Sequence, residues 1–284
     1  MIDFDFHIHC APYSTCASQT AEEAIDCARR AGIETVAFCN HNTISGLNQI
    51  KEICDKKGMC LVSGIEMSVS LKDVTGADDL VLHLLGYGFR MDDKRLADFL
   101  IIEKQKHRDR IRAMSEFLMQ SGFRISVCSD KKELRRQLCG QEYFQDEKDA
   151  KRFLNSKEMQ SKFPLHKTEA KTFIDIVHQA GGIVVWAHPN SAENHKKVNI
   201  DQIGQFCDVL CGDGLDGIEV FHPNVIQEAE LPEFLLSEAE KRGLKVTLGS
   251  DSHTVSKEGE YFTQQNWQKE FDYDYQNIKH FWEE

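Results

Sequence analysis

Ile2-Asp3-Phe4-Asp5-Phe6-His7-Ile8-His9 opens the chain. The stretch reads as a β-strand that closes on two histidines. Successive strand side chains point to opposite faces, so Asp5, His7 and His9 share one face. Two imidazoles side by side at a strand end suit a divalent cation, with Asp5 close enough to serve as an outer partner.

The same grammar repeats outward from this strand. Further short apolar runs predict strands at 34–39, 60–65, 81–87, 183–187, 217–221 and 245–249, the first being 3–8. Between them lie helical patterns at 20–31, 44–57, 168–180 and 230–242. Thr20 and Glu23 form a capping-box pattern, and Gly32 is placed to close the first helix. Strands alternating with helices are the signature of a parallel sheet or barrel. The rhythm breaks between 92 and 167, where the chain is dense in Lys, Arg, Glu and Gln, helical over 93–121 and irregular beyond. The expected architecture is α/β: a barrel of residues 1–91 plus 168–284 carrying an inserted helical subdomain, 92–167. The aromatic tail, 255–284, is expected to pack as an irregular segment and a final helix.

Composition narrows the classes. The chain has 284 residues, 41% hydrophobic and 28% charged, which is ordinary for a soluble globular protein. No apolar run reaches the roughly 18 residues of a membrane span. The acidic start lacks the features of a signal peptide, so a cytoplasmic protein with no membrane partner is expected. Ten cysteines occur without a Cys-x-x-Cys pair and read as reduced thiols, mostly buried. Cys10 and Cys16 flank the loop after His9; they are the two placed to touch a metal, or else small loop and core residues. A net charge of −12 argues against long nucleic acids as partners. A small phosphorylated substrate stays open, because bound cations reverse the local field.

Nearly every expected strand delivers a metal-competent residue. The first gives His7 and His9, the second His41, the third Glu66, and the fourth His83. The fifth gives His188, the sixth Glu219 followed by His222, and the seventh Asp251 and His253. In a β/α barrel the strand C-termini form one mouth, so residues far apart in sequence converge there. Imidazole mixed with carboxylate suits Zn²⁺, Mn²⁺ or Fe²⁺, and so many ligands imply two to three ions with Glu66 as a bridge. His107, His166, His178, His195 and His280 lie off the strand ends and read as structural.

These residues resemble the PHP family (polymerase and histidinol phosphatase), metal-dependent phosphoesterases on a distorted (β/α)7 TIM-like barrel. Asp5-Phe6-His7-Ile8-His9 is similar to the family's opening D-x-H-x-H, and Cys39-Asn40-His41-Asn42-Thr43 to its T-D-H-x-T. Gly64-Ile65-Glu66 and His83-Leu84-Leu85-Gly86-Tyr87 match two further segments. So do Ala187-His188-Pro189, Gly217-Ile218-Glu219-Val220-Phe221-His222-Pro223 and Gly249-Ser250-Asp251-Ser252-His253. The inserted helical stretch resembles the stand-alone branch, which includes nucleoside monophosphate phosphatases, cyclic-phosphate hydrolases and 5′–3′ oligonucleotide exonucleases. The resemblance implies that His7, His9, Glu66 and Asp251 hold one ion and that Glu66, His83 and His188 hold a second. It also implies that His41 and His253 lean on a third.

The chain departs from that pattern in three places. Cys10-Ala11-Pro12-Tyr13-Ser14-Thr15-Cys16 offers no Asp or His for a third ion, leaving it absent, weakly held or helped by Cys16. Asn40 and Asn42 stand where aspartates are common. Gly140-Gln141-Glu142-Tyr143 replaces a Gly-Arg-Pro-His stretch of relatives with nucleotide activity.

The expected activity is hydrolysis of small phosphorylated substrates, of nucleoside monophosphate or short oligonucleotide type, by a metal-bridging hydroxide. His222 is expected to bind substrate or protonate the leaving oxygen, or else to stack on Pro223 as a loop residue. Arg108 and Arg110 are expected to contact the phosphate. The alternatives are a histidinol-phosphate phosphatase and a non-catalytic metal-binding module.

Overall fold

The structure is a computed structural model that describes residues 2–72, 74–77, 80–193, 196–255, 273 and 275–279. It divides into two compact units, Met1–Ala97 with Thr168–Glu284, and Asp98–Lys167.

The first unit is built on β1 (Phe4–Ile8), α1 (Ala21–Arg30), β2 (Thr35–Phe38), α2 (Leu47–Lys57), β3 (Cys60–Ser70) and β4 (Leu82–Tyr87). After the insertion the chain continues through β5 (Thr168–Glu169), α7 (Ala170–Gln179), β6 (Ile183–Trp186), β7 (Ser191–Ala192), β8 (Lys196–Lys197) and α8 (Ile200–Asp213). It ends with β9 (Gly217–Phe221), α9 (Pro223–Ile226), α10 (Leu231–Arg242), β10 (Lys245–Leu248) and a short helix, Gln276–Lys279. The main sheet runs β1-β2-β3-β4-β6-β9-β10, with β5 paired to the end of β3. An Ile8–Ser252 bridge, with His9 N donating to Ser252 O at 2.9 Å, draws its two edges together into a nearly closed barrel. Parallel strands covered on both faces must be apolar almost throughout. Accordingly every residue of β1, β2 and β9 is buried.

The sequence reading needs three corrections. β4 is antiparallel to both β3 and β6. A residue near its start therefore sits where the other strands end, as Ser68 opposite His83 shows. β3 does not stop before Glu66 but runs on to Ser70, because pairing with β4 and β5 satisfies its backbone. The third correction is a missed helix, α8, whose Asn199–Gln202 capping box closes its first turn. The Thr20–Glu23 capping box forms as read; Ala31 takes the C-cap, and Gly32 adopts the left-handed conformation one residue later, at φ +85.

The second unit carries three further helices beyond 121, joined by irregular segments at 121–130 and 141–146. It contains most of α3 (Lys94–Gln120), then α4 (Lys131–Gly140), α5 (Glu147–Leu154) and α6 (Lys157–Lys162). Asp130, Asp146 and Ser156 cap the last three by accepting the third backbone N–H of each helix. Helices this short give little periodicity to read. They close around their own core of Ile111, Met114, Leu118, Leu134, Leu138, Ala150, Leu154 and Met159. Among the described residues no helix is long and apolar enough to cross a membrane. Most of the aromatic tail, and His195 and His280, lie outside the described residues.

Candidate active site

Glu66 sits in β3 with 1% exposure, and its carboxylate meets five imidazoles. Oε2 faces His41 Nδ1 at 2.9 Å, His9 Nε2 at 3.2 Å and His7 Nε2 at 3.5 Å. Oε1 faces His83 Nδ1 at 2.8 Å and His188 Nε2 at 3.1 Å. Asp251 completes the first side: its Oδ1 lies 3.0 Å from His9 Nε2 and 3.5 Å from His7 Nε2. Its Oδ2 lies 3.4 Å from His222 Nε2. His253 stacks on His9 with ring centroids 4.3 Å apart. The barrel thus brings together His7, His9, His41, Glu66, His83, His188, Asp251, His253 and His222.

This packing has unmet polar demand. His7 Nε2, His9 Nε2, Glu66 Oε2 and His222 Nε2 are buried without a hydrogen-bond partner. Orphaned polar atoms are costly in a protein interior, and His7, His9 and Glu66, whose ligand atoms lie within 4.8 Å of one another, fit a cation that would supply the missing ligation. Groups of ligand atoms at metal spacing include His7-His9-Glu66, His41-Glu66-His83 and His9-Cys16-His41-His253.

Electrostatics agree with that chemistry. Burial works against charge on Glu66 and Asp251, but the facing histidines hold both carboxyls well below the usual carboxylate range. Burial likewise works against protonated His7, His41 and His188. Glu219 with Asp251 and Glu66 for the first, and chiefly Glu66 for the others, push all three up. Protons on these rings stand in for cations and must leave when metal binds.

The clustered histidines are held from behind by Glu219, which the sequence pattern marks at the sixth strand, and by Ser14 and Gln19, which it does not. Glu219 Oε1 pairs with His7 Nδ1 at 2.9 Å and its Oε2 accepts His188 N at 2.9 Å. Ser14 Oγ lies 3.2 Å from His9 Nδ1 and accepts His41 N at 3.0 Å. Gln19 donates to His9 O and Ser252 O, fastening the end of β1 to the Asp251 loop. Asp5, expected as a partner of the imidazoles, accepts His7 N and Ser250 N and so ties the strand of His7 to the loop of Asp251. His188 and Asp251 adopt φ +29 and +51, strained values for residues with a Cβ, and the surrounding pairs hold them there.

The departures also find places. Asn40 accepts Cys10 N and donates to Cys10 Sγ, which an aspartate could not do. Asn42 accepts Ser68 N from β3. Cys10 is fully buried, and burial pushes its thiol up to about 11. Cys16 is different. Burial pushes its thiol up, but hydrogen bonds with His253 and His41 outweigh this and bring it down to about 6.

His222 caps α9, its Nδ1 accepting Asn224 N at 3.0 Å. A neutral ring in that arrangement carries its proton on Nε2, toward Asp251. Arg110, expected to contact the phosphate, is buried in the helical unit; it donates to Phe163 O and Gln160 Oε1, and its Nη1 is buried without a hydrogen-bond partner. Arg108 is exposed and donates to Ser129 Oγ.

Comparison with known proteins matches the PHP domain over residues 5–280. The chain is 27% identical to a phosphoribosyl 1,2-cyclic phosphate 1,2-diphosphodiesterase of Eggerthella lenta, over 88% of this chain and 93% of that one. It is 24% identical to a 5′–3′ exoribonuclease of Haemophilus influenzae, over 88% and 89%. Among solved structures, one described as a metal-dependent phosphoesterase from Bifidobacterium adolescentis superposes with a TM-score of 0.66 at 25% identity, covering 88% and 87%. An amidohydrolase from Chromobacterium violaceum shares the fold, with a TM-score of 0.65 at 22% identity over 89% and 88%.

Proposed function

The chain belongs to the PHP family of metal-dependent phosphoesterases, hydrolases of phosphoric esters, and on that premise we propose that it cleaves phosphodiesters of small nucleotide-type substrates. The observation that carries the reading is the two-sided use of Glu66. Its Oε2 shares a ligand group with His7, His9 and Asp251, and its Oε1 shares one with His83 and His188. These residues would hold two divalent ions, with Glu66 common to both sets, and its negative charge would offset the repulsion between them. When bound, such ions supply Lewis acidity toward a phosphoryl oxygen and make water a competent nucleophile near neutral pH.

The chain's own residues do the rest. Glu219 and Ser14 fix the ring orientations of His7 and His9, so the mouth is arranged before substrate arrives. His222 holds a proton on Nε2, in position to donate to a phosphoryl or leaving oxygen. Asp251, beside it, keeps that ring turned toward the mouth.

The substrate class draws support from both curated relatives, a cyclic-phosphate diphosphodiesterase and an exoribonuclease, each named for cleaving a diester. The test is a side-by-side assay of the Mn²⁺- or Zn²⁺-loaded protein. The panel is bis-(p-nitrophenyl) phosphate, a cyclic ribose phosphate, a short 5′-phosphorylated oligonucleotide, nucleoside monophosphates and histidinol phosphate. Turnover of the diesters ahead of histidinol phosphate is expected. Preferred hydrolysis of histidinol phosphate overturns the substrate assignment.

A further inference from the structure

We propose that Cys16 is a metal ligand: its thiolate joins His41 and His253, with His9 at the border, in a separate position for a borderline-soft divalent cation such as Zn²⁺. The inference rests on reading the Glu66 cluster as a metal centre. The family resemblance by itself implies an ion leaning on His41 and His253; what goes beyond it is a sulfur ligand from this chain's own Cys16, in place of the acid or imidazole that its loop lacks.

Geometry carries it. One ligand atom each from His9, Cys16, His41 and His253 lies within 4.8 Å of every other. Ligands on opposite sides of one ion, at bond lengths of about 2.1–2.3 Å, stand about 4.4 Å apart, so the four are at the right scale for one cation. The rings of His41 and His253 each stack on His9, with centroids 4.6 Å and 4.3 Å away. His9 itself is fully buried with Nε2 unpartnered.

The loop that carries Cys16 is pinned, so its approach to these rings is built in. Ala11 N donates to Gln19 O, closing the loop on itself, and Ser14 N donates to Cys10 O. Ser18 N donates to His253 O at 2.9 Å, two residues beyond the thiol. Ser14 reaches both His9 and His41. The loop Cys10–Cys16 contains no acid and no imidazole, and of its two thiols Cys10 is fully buried against Asn40, which leaves Cys16 as its ligand-grade group for a soft cation.

A thiolate favours Zn²⁺, Co²⁺ or Fe²⁺ over Mg²⁺ or Mn²⁺. Ions at this position are therefore expected to differ in kind from those the carboxylates accept, and to be displaced by thiol-modifying reagents while the ions at Glu66 remain.

The experiment uses the full chain, stripped of metal and reloaded with Co²⁺. Sulfur-to-cobalt charge transfer in the near ultraviolet is expected in the parent protein and lost in Cys16→Ser, with ion content falling by one per chain. Cys16→His is expected to restore the ion without the charge-transfer band, which shows that a loss in Cys16→Ser is not misfolding. A parent protein that takes up Co²⁺ with only nitrogen and oxygen ligation overturns the thiolate assignment and leaves the Glu66 reading intact. So does a Cys16→Ser variant with unchanged spectrum and ion count. A chain that takes up no Co²⁺ overturns the metal-centre reading itself, and this inference with it.

Discussion

Glu219 Oε1 lies 2.9 Å from His7 Nδ1, and neither side chain is exposed. The same carboxylate takes the backbone N–H of His188 on its other oxygen. One buried acid from β9 thereby sets the tautomer of a histidine on β1 and the position of a histidine after β6. Partners of this kind raise ligand basicity and hold the ring plane. Glu219→Gln keeps the volume and removes the charge, so metal affinity is expected to fall about 10–100-fold, read by chelator competition. Parent-like affinity in that variant would remove Glu219 from the orienting role.

His9 and Asp251 face each other at 3.0 Å across the side of the cluster that shares Glu66 Oε2. Replacing either with Ala removes a ligand atom that no neighbour can replace. Turnover is expected to drop to background, with a lower metal content by elemental analysis. A metal-replete, active Asp251→Ala would exclude Asp251 from the ligand set.

Ser14 serves two histidines with one hydroxyl. Ser14→Ala leaves His41 N without its acceptor in a buried setting, at a cost of about 1–3 kcal/mol. Thermal unfolding measures that loss. Because His9 is also freed to rotate, turnover should fall further than stability alone explains. An unchanged kcat in a destabilised variant would make Ser14 merely structural.

The metal-free protein should show a pH dependence of definite sign. His7, His41 and His188 are raised from their ordinary 6.5 by facing carboxylates, against the opposing effect of burial. Their stabilising contribution is complete below pH 6.5 and is lost as pH rises toward the folded values, about 11 for His41. Glu66 is depressed from its ordinary 4.5, so its contribution is present above that value and lost as pH falls through the folded one. The cluster therefore supports the chelated protein best between about pH 4.5 and 6.5. Its melting temperature should decline above that window, while the metal-loaded protein, its ring protons displaced, should not follow. A chelated protein that melts higher at pH 8 than at pH 6 contradicts this.

Gly249 marks the closest approach of β10's end to β1. A Cβ there would stand 2.2 Å from His7 Cβ and 2.9 Å from His7 N. Gly249→Ala must push the backbone of a ligand strand, so it is expected to destabilise by about 1–3 kcal/mol and to displace His7. Denaturant unfolding measures the first effect and metal content the second. A parent-like value for both would show that the barrel edge yields freely.

Much of the centre was legible because strand ends carry it. The alternation around His7 and His9, and the acids and imidazoles after later apolar runs, pick out by position the side chains that the barrel brings together. The same local reasoning failed where the answer lay across strands. Asp5 binds the backbone N–H groups of His7 and Ser250, and Glu219, read from the sequence only as a metal-competent strand residue, pairs with His7 from 212 residues away. Charge alone marks Arg110 as a phosphate contact, and burial within its own unit leaves no trace in the helix pattern. The short helices α4 to α6 gave too few turns for periodicity, although their capping residues stood in the sequence.

The amino-acid order alone determined which side chains could ligate a cation and that alternating strands and helices would gather them at one rim, since pleat period and barrel direction are local rules. Only the tertiary structure decided that β4 runs backwards, that Glu66 faces imidazoles with both of its oxygens, and that Cys16 comes to rest beside His41 and His253. Those outcomes depend on pairing between strands and loops distant in the chain, and long-range contacts leave no periodic trace in the residues that make them.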